Sequence, residues 1–423
     1  MSRSGATVVL AAVALLGCGS RTALDDVSAP ARPPSRLDAS MRVDSAPDVP
    51  VACVETCNGT CSNGACLVTV TSLAGAGPTQ IAVDGTNVYW VAGEATSQFP
   101  YASVALMKVL AAGGGTPVTF ASGQNNPLGP LVVAGDNLYW TNAGSDYVVG
   151  GGEVVYRPLA GGEAVTLAVQ QAGPVDITVD ATSVYWIDRG SSDPVGTGAA
   201  IMRVALGGGT PVTLSDLVIT NAANDSAASF GAAGFAASTT SLYWGDNGYE
   251  LVDSGGPSPT TSGGAIVELP LGGGLQVTLA SWAQEVGAIV TDSTAIYWTK
   301  YGPPVGSTFP DGAVMRLPLD GGTPVTVVGN QLFIRAALAV DTTSVYWTTG
   351  DNMADGHDVV MRLALAGGAP VTLATKQAAP QQIVADGTSI YWSNLGTQAL
   401  VNGYMEPVSH GSIMKLTPSC ACR

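Results

Sequence analysis

Val340-Asp341-Thr342-Thr343-Ser344-Val345-Tyr346-Trp347 is one of seven versions of a single line of sequence. The others carry Tyr89-Trp90, Tyr139-Trp140, Tyr185-Trp186, Tyr243-Trp244, Tyr297-Trp298 and Tyr391-Trp392, so the seven pairs take seven of the 8 tryptophans and recur every 45 to 58 residues. Outward from Tyr346-Trp347, an apolar run ending in Val340-Asp341 and a Thr-rich turn precede the pair. A variable loop follows, then Val360-Met361-Arg362-Leu363, a Gly367-Gly368 turn and Pro370-Val371-Thr372-Leu373. Each unit thus holds four short strand-like segments, too few to bury both faces alone. Stacking such units in a ring predicts an all-β fold, a seven-bladed β-propeller of four-stranded antiparallel blades.

The punctuation agrees with that reading. Glycine pairs at 161–162, 321–322 and 367–368 fall where a tight turn needs positive φ. Pro117, Pro211, Pro324 and Pro370 open the fourth segment, predicted to be the outer edge, where a missing N–H costs little. The seventh unit stops after Ile413-Met414-Lys415-Leu416 without a fourth segment, while Leu67-Val68-Thr69-Val70-Thr71 precedes the first unit as a stray one. The N-terminal strand is therefore expected to complete the last blade and remove the open sheet edges between the two ends.

The chain has 54 Gly, 46% hydrophobic and only 11% charged residues, a composition that suits short buried strands and argues against disorder over its bulk. A net charge of −16 with only 16 scattered Lys and Arg excludes nucleic acid or an anionic membrane surface as a partner held by charge.

Ahead of the repeats, Arg3, the apolar run 7–16 and Leu15-Leu16-Gly17-Cys18 read as an export signal too short to span a bilayer. Its ending resembles a bacterial lipobox, which implies a lipoprotein signal over 1–17, lipidation of Cys18 and anchoring at the outer membrane. A free-secretion signal with a chance cysteine is the alternative. Residues 18–52, with five prolines among polar residues, read as a disordered tether, 53–66 as a Cys-rich segment, 67–418 as the propeller and 419–423 as a Cys-containing tail. Cys53, Cys57, Cys61, Cys66, Cys420 and Cys422 make an even set in an exported chain, so disulfides are expected; zinc is the lesser reading, since no His lies near them. Seam closure would bring Cys66 and its neighbours close to Cys420 and Cys422, and a disulfide there would lock the ring.

The repeats resemble the YWTD propellers of low-density-lipoprotein-receptor-type proteins and bacterial propeller lipoproteins built from similar units. Tyr185-Trp186-Ile187-Asp188 and Tyr243-Trp244-Gly245-Asp246 come nearest that motif, Asn142 and Asn394 replace its Asp, and Lys300 and Thr349 depart from it. The resemblance implies the fold and carries no particular ligand.

Two repeated polar slots have structural readings. Asp84, Asp180, Asp292, Asp341 and Asp386, each five residues before its Tyr, are predicted to support the turn between first and second strands. Lys108, Arg157, Arg203, Arg316, Arg362 and Lys415 are read as sharing one third-strand slot, with Glu268 the exception, each making an ion pair or hydrogen bond.

Loop length varies only where second strands lead to third strands and where one blade leads to the next, so one face of the ring is the expected binding surface. Its candidates include Asp188, Arg189, Asp246, Tyr249, Glu250, Lys300, Tyr301, His357, Tyr404 and His410. Asp351, Asp355 and Asp358 could hold calcium, although their spacing is not that of an EF-hand and a solvated acidic turn is the plainer reading. His357 and His410, the only 2 histidines, fall in equivalent loops of blades six and seven, where proximity would permit a metal or an acid/base pair. No nucleophile elbow, zinc-protease motif or phosphate loop is present. The expectation is a non-catalytic surface scaffold for a protein, peptide or glycan, membrane-bound through its lipid alone and needing no cofactor. A propeller hydrolase or lyase with central carboxylates, with or without calcium, is the alternative.

Overall fold

The computed structural model describes residues 57, 59–62, 65–73, 77–92, 104–144, 150–192, 195–197, 199–217, 232–246, 264–281, 286–300, 312–331, 334–350, 358–396, 398–401, 404–407 and 410–418. Every regular element among them is a β-strand; apart from two small two-stranded hairpins, the strands form seven antiparallel sheets of the expected order. Blade three is representative: Pro174–Val179, Ser183–Asp188, Ala200–Ala205 and Val212–Asp216 lie side by side in sequence order. Each blade's first strand packs on the first strand of the next, and that of blade seven, Pro380–Ala385, packs on that of blade one, Ile81–Val83. The ring is closed, with first strands innermost.

The Tyr-Trp pair owes its recurrence to strand geometry. Consecutive side chains on a strand point to opposite faces, so the Tyr of one blade enters the interface with the following blade while its Trp enters the interface with the preceding one. All seven interfaces are built this way. Tyr89 packs in one layer with Trp140, Tyr139 with Trp186, Tyr185 with Trp244, Tyr243 with Trp298, Tyr297 with Trp347 and Tyr346 with Trp392. Tyr391 and Trp90 close the series beside Val70, Ile81 and Ile413.

Blade seven is the seam. Ala65–Ser72 pairs with Ser412–Thr417, with Leu67 opposite Leu416 and Ser72 opposite Ser412. Thr60–Ser62 adds a fifth, outermost strand on Ala65–Ser72. Cys66, which the seam places opposite Thr417, is bonded to Cys57, nine residues away, and so is not the residue that links to Cys420 or Cys422. Cys18, Cys53, Cys420 and Cys422 lie outside the described residues, and Cys61 is placed only by its backbone, opposite Cys66.

Candidate binding face

Antiparallel order puts the turns from first to second and from third to fourth strand on one face of the ring. The other two connections open on the opposite face. The first face is uniformly tight. In blade three, Asp180 Oδ1 accepts the backbone N–H groups of Thr182 (2.7 Å) and Ser183 (2.8 Å) and the Thr182 hydroxyl (2.9 Å), while Oδ2 accepts the Tyr185 hydroxyl at 2.9 Å. Tyr89 donates to Asp84, Tyr297 to Asp292, Tyr346 to Asp341 and Tyr391 to Asp386 in the same manner, at 2.7 to 3.1 Å. Burial alone would raise the carboxyls of Asp84, Asp180, Asp292 and Asp386, but the hydrogen bonds donated to them outweigh it and hold them below the usual range. These aspartates therefore clasp the turn to the core tyrosine.

The basic slot lies opposite the same Tyr, with a correction. Lys108, Arg203, Arg316, Arg362 and Lys415 stand opposite Tyr89, Tyr185, Tyr297, Tyr346 and Tyr391, and Glu268 opposite Tyr243. In blade two, however, Tyr156 faces Tyr139 and Arg157 falls one place on, opposite Leu138: Tyr156 stands five residues before the turn's Gly161, as Arg316 does before Gly321, so Tyr156 takes the slot. Arg316 Nε donates to the Tyr297 hydroxyl at 3.2 Å, and Arg157 Nε to the Gly162 carbonyl at 2.7 Å. Lys108 and Arg157 lie over the Phe120 ring, 5.6 and 4.9 Å from its centre.

The opposite face carries the projections. A hairpin of Ser191–Ser192 with Val195–Thr197 rises between second and third strands of blade three, and a second, Gln398–Val401 with Tyr404–Pro407, does so in blade seven. Beneath this face lies a set of buried polar latches absent from the sequence reading. The fourth strands of blades one, two, five and six end in Gln124, Gln171, Gln331 and Gln377, each folded back so that its Nε2 donates to the carbonyl two residues earlier. Positive φ at Gly123, Gln170, Asn330 and Lys376 produces that fold-back. Gln124 Oε1 then accepts Trp140 Nε1 of the next blade at 2.8 Å and Asn142 Nδ2 at 3.1 Å. Gln377 Oε1 takes Trp392 Nε1 and Asn394 Nδ2 at the same distances. A Gln 15 or 16 residues ahead of the Trp was the readable signal.

Several sequence candidates belong to this buried layer. Asp188 is 5% exposed, and its Oδ1 accepts Trp186 Nε1 at 3.1 Å. Burial pushes its carboxyl up to about 6, against the lowering effect of the Ala172 and Trp186 N–H donors. Asp358 is fully buried, its Oδ2 accepting the Ala379 N–H at 3.1 Å, and a Cβ at Gly350 would collide with its carboxylate. The strand it opens thus carries it inward, away from the predicted acidic turn. Arg189 follows Asp188 and bears on Asp176, an unassigned inner-strand carboxyl that desolvation raises to about 6 despite the Arg189 charge, even though the residue retains some exposed surface. Lys300 is half-buried at the end of a second strand and His410 is exposed. Asp246 and Tyr404 are placed by backbone alone, opposite Ala265 and Val401. Tyr249, Glu250, Tyr301, Asp351, Asp355 and His357 lie outside the described residues. Among the described residues no three His, Cys, Asp or Glu side chains gather as metal ligands would.

Comparison with known proteins shows the fold alone. No family model and no curated protein matches the chain. Among solved structures it is similar to a puromycin-hydrolyzing peptidase of Mycobacterium tuberculosis, with TM-score 0.51 and 13% identity over 80% of this chain and 53% of that one. It is also similar to the β-propeller domain of the Trilobed protease from Pyrococcus furiosus, with TM-score 0.51 and 7% identity over 82% and 94% of the two chains. That domain is described as having an open velcro topology; here one blade takes strands from both ends of the chain.

Proposed function

We propose that the chain is an exported, lipid-anchored scaffold of the outer membrane that binds a protein, peptide or glycan through the hairpin-bearing face of its ring. The observation that carries this reading is the contrast between the two faces. One is closed by clasped turns, whereas the other projects hairpins at Ser191–Thr197 and Gln398–Pro407 from a frame of fully buried Tyr-Trp layers. The buried carboxyls beneath that face hold backbone and Trp N–H groups, which is architectural work. Cys18 in its lipobox-like setting supports the anchor, and the Cys57–Cys66 disulfide supports an oxidising compartment.

The test replaces residues 191–197 and 398–407 by short Gly-Ser turns and screens parent and shortened rings against a glycan array and a displayed peptide library. Ligands of the parent are expected to be lost from the shortened ring while its far-UV circular dichroism stays the same. Retention of every ligand would place binding elsewhere. Cys18→Ala is expected to release the chain from membranes, and unchanged partition would remove the anchor.

One observation favours a second reading as a propeller hydrolase or lyase: the inner-strand carboxyl of Asp176 beside Arg189, raised to about 6, has the proton affinity of a general acid. Hydrolysis of any ester, peptide or glycoside panel member that Asp176→Asn abolishes would establish it.

A further inference from the structure

The blade-two to blade-three junction repeats the latch of its neighbours with one atom changed. At the junction of blades one and two, Gln124 Oε1 accepts from both Trp140 Nε1 and Asn142 Nδ2, and at that of blades six and seven Gln377 Oε1 accepts from Trp392 Nε1 and Asn394 Nδ2. At blades two and three the same places hold Gln171, Trp186 and Asp188. Trp186 Nε1 turns to Asp188 Oδ1 at 3.1 Å. Gln171 Nε2 is spent on the Val169 carbonyl at 2.6 Å, and Gln171 Oε1 is left buried with no hydrogen-bond partner. A buried amide oxygen without a donor is costly. An ionised aspartate has only acceptors to offer, whereas a carboxylic acid has one O–H in the place of the Asn N–H.

We propose that Asp188 is held as the neutral acid and donates its O–H to Gln171 Oε1, so that the junction of blades two and three is a proton-operated latch. Ionisation removes the donor and turns two acceptors toward each other at a site that is 5% exposed on the Asp188 side and 8% on the Gln171 side. The latch sits at the root of the blade-three hairpin. Arg189 N–H donates to the Gly173 carbonyl and Gly190 N–H to that of Ala172, immediately before the hairpin starts at Ser191. Loss of the proton therefore loosens the base of a loop on the projecting face while the Asn latches of blades two and seven stay shut.

Charged groups on the surrounding elements are Asp176 on the first strand of the same blade, Arg189 on the adjoining loop, Glu153 and Arg157 on the third strand of blade two, and Arg203 on the third strand of blade three. None of them is a cause of the upward push on Asp188, which comes from burial against two N–H donors. The sign follows from that push. A carboxyl raised in the folded state gives its full contribution to stability below the unfolded value of 3.8 and loses it as pH rises toward about 6.

The experiment uses the full chain and two readouts. First, folding constants of parent and Asp188→Asn are measured by urea unfolding between pH 4 and pH 7. One extra proton bound on folding over about two pH units means that the parent loses about a hundredfold relative to the Asn variant across that range. A constant ratio would overturn the latch. Second, carboxyl carbons of 13C-Asp-labelled chain are titrated in the Asp176→Asn background, which removes the other carboxyl raised into that range. The midpoint of Asp188 should fall by about one pH unit when Gln171→Met takes away the acceptor of its proton. A midpoint that stays or rises would mean that burial alone holds the proton, and this readout decides the question even if Asp188→Asn fails to fold.

Discussion

Blades one, three, five, six and seven close their first turn with an aspartate that clasps the core tyrosine; blades two and four do not. In blade two the Asp place is Ala134, and the Tyr139 hydroxyl meets only Asn137 Nδ2 at 3.4 Å. In blade four it is Ser238, whose hydroxyl lies 3.5 Å from that of Tyr243, and the Tyr243 hydroxyl donates to Glu268 at 3.4 Å, in the slot where most other blades keep Lys or Arg. Yet Tyr139 and Tyr243 are as buried as their counterparts, at 3% and 2% exposure, and each still packs with the Trp of the next blade. The apolar layers between blades therefore set the fold, and the clasp reinforces it. The two exceptions differ in kind as well. Blade two lacks a carboxylate partner for its hydroxyl, while blade four has moved the carboxylate from the turn to the neighbouring strand.

The comparison breaks if a clasp matters more than a layer. Trp392→Ala, in the layer with Tyr346, should cost about 3–5 kcal/mol by urea unfolding, for the cavity and the lost Gln377 bond together. Asp180→Ala, which removes the partners of two backbone N–H groups and two hydroxyls, should cost about 1–2 kcal/mol. If the second loss equals the first, the ranking is wrong. The clasps also carry a pH signature. Carboxyls lowered on folding contribute stability that is present above 3.8 and lost as pH falls, so acid unfolding should begin at higher pH in the clasp-intact chain than in one where Asp84, Asp180, Asp292 and Asp386 are all replaced by Asn, compared at matched stability at pH 7.

Smaller changes sharpen the distinction between the two exceptions. Ser238→Asp alone should cost about 0.5–1 kcal/mol, since it sets a second carboxylate near Glu268, and adding Glu268→Arg should recover the loss by restoring the arrangement of the other blades. A double variant no better than the single one would show that blade four is not a rearranged clasp. Ala134→Asp meets no such conflict and should gain about 0.5–1 kcal/mol, because Tyr139 already stands five residues on. An unchanged unfolding midpoint would mean that Tyr156, opposite Tyr139, keeps the hydroxyl out of reach.

What was legible in the sequence was whatever repeats with local spacing. The Tyr-Trp pairs announced the blades, and the orphan segment 67–71 announced the seam that joins it to 412–417. Asp five residues before Tyr was readable as turn support, although the hydroxyl bond of its second oxygen required knowing that the Tyr folds back over the turn. The Gln latches were hidden because they join a strand end to the next blade through fold-backs at non-Gly residues such as Gln170, Asn330 and Lys376, where positive φ has no sequence mark. Asp188 was read as part of the face because the motif ends there. Register puts that last residue opposite Pro174 and Ala200, inside the blade rather than on it. Arg157 is four residues before Gly161, whereas the residue facing the core Tyr is five before the turn glycine in blades one and three to six, so that count places Tyr156 in the slot and Arg157 beside it.

The shared sheet of blade seven has a mechanical side. Its two end strands run antiparallel, so the start of the N-terminal strand Ala65–Ser72 and the end of the C-terminal strand meet at one rung, Cys66 opposite Thr417. Tension that draws the two ends apart loads that rung first and the others in turn, as in opening a zipper. Tension between two interior blades loads a whole Tyr-Trp layer at once. In a pulling experiment the ring should yield at its seam at low force and resist elsewhere, with the neighbouring Cys57–Cys66 bond keeping the outermost hairpin intact as the seam parts.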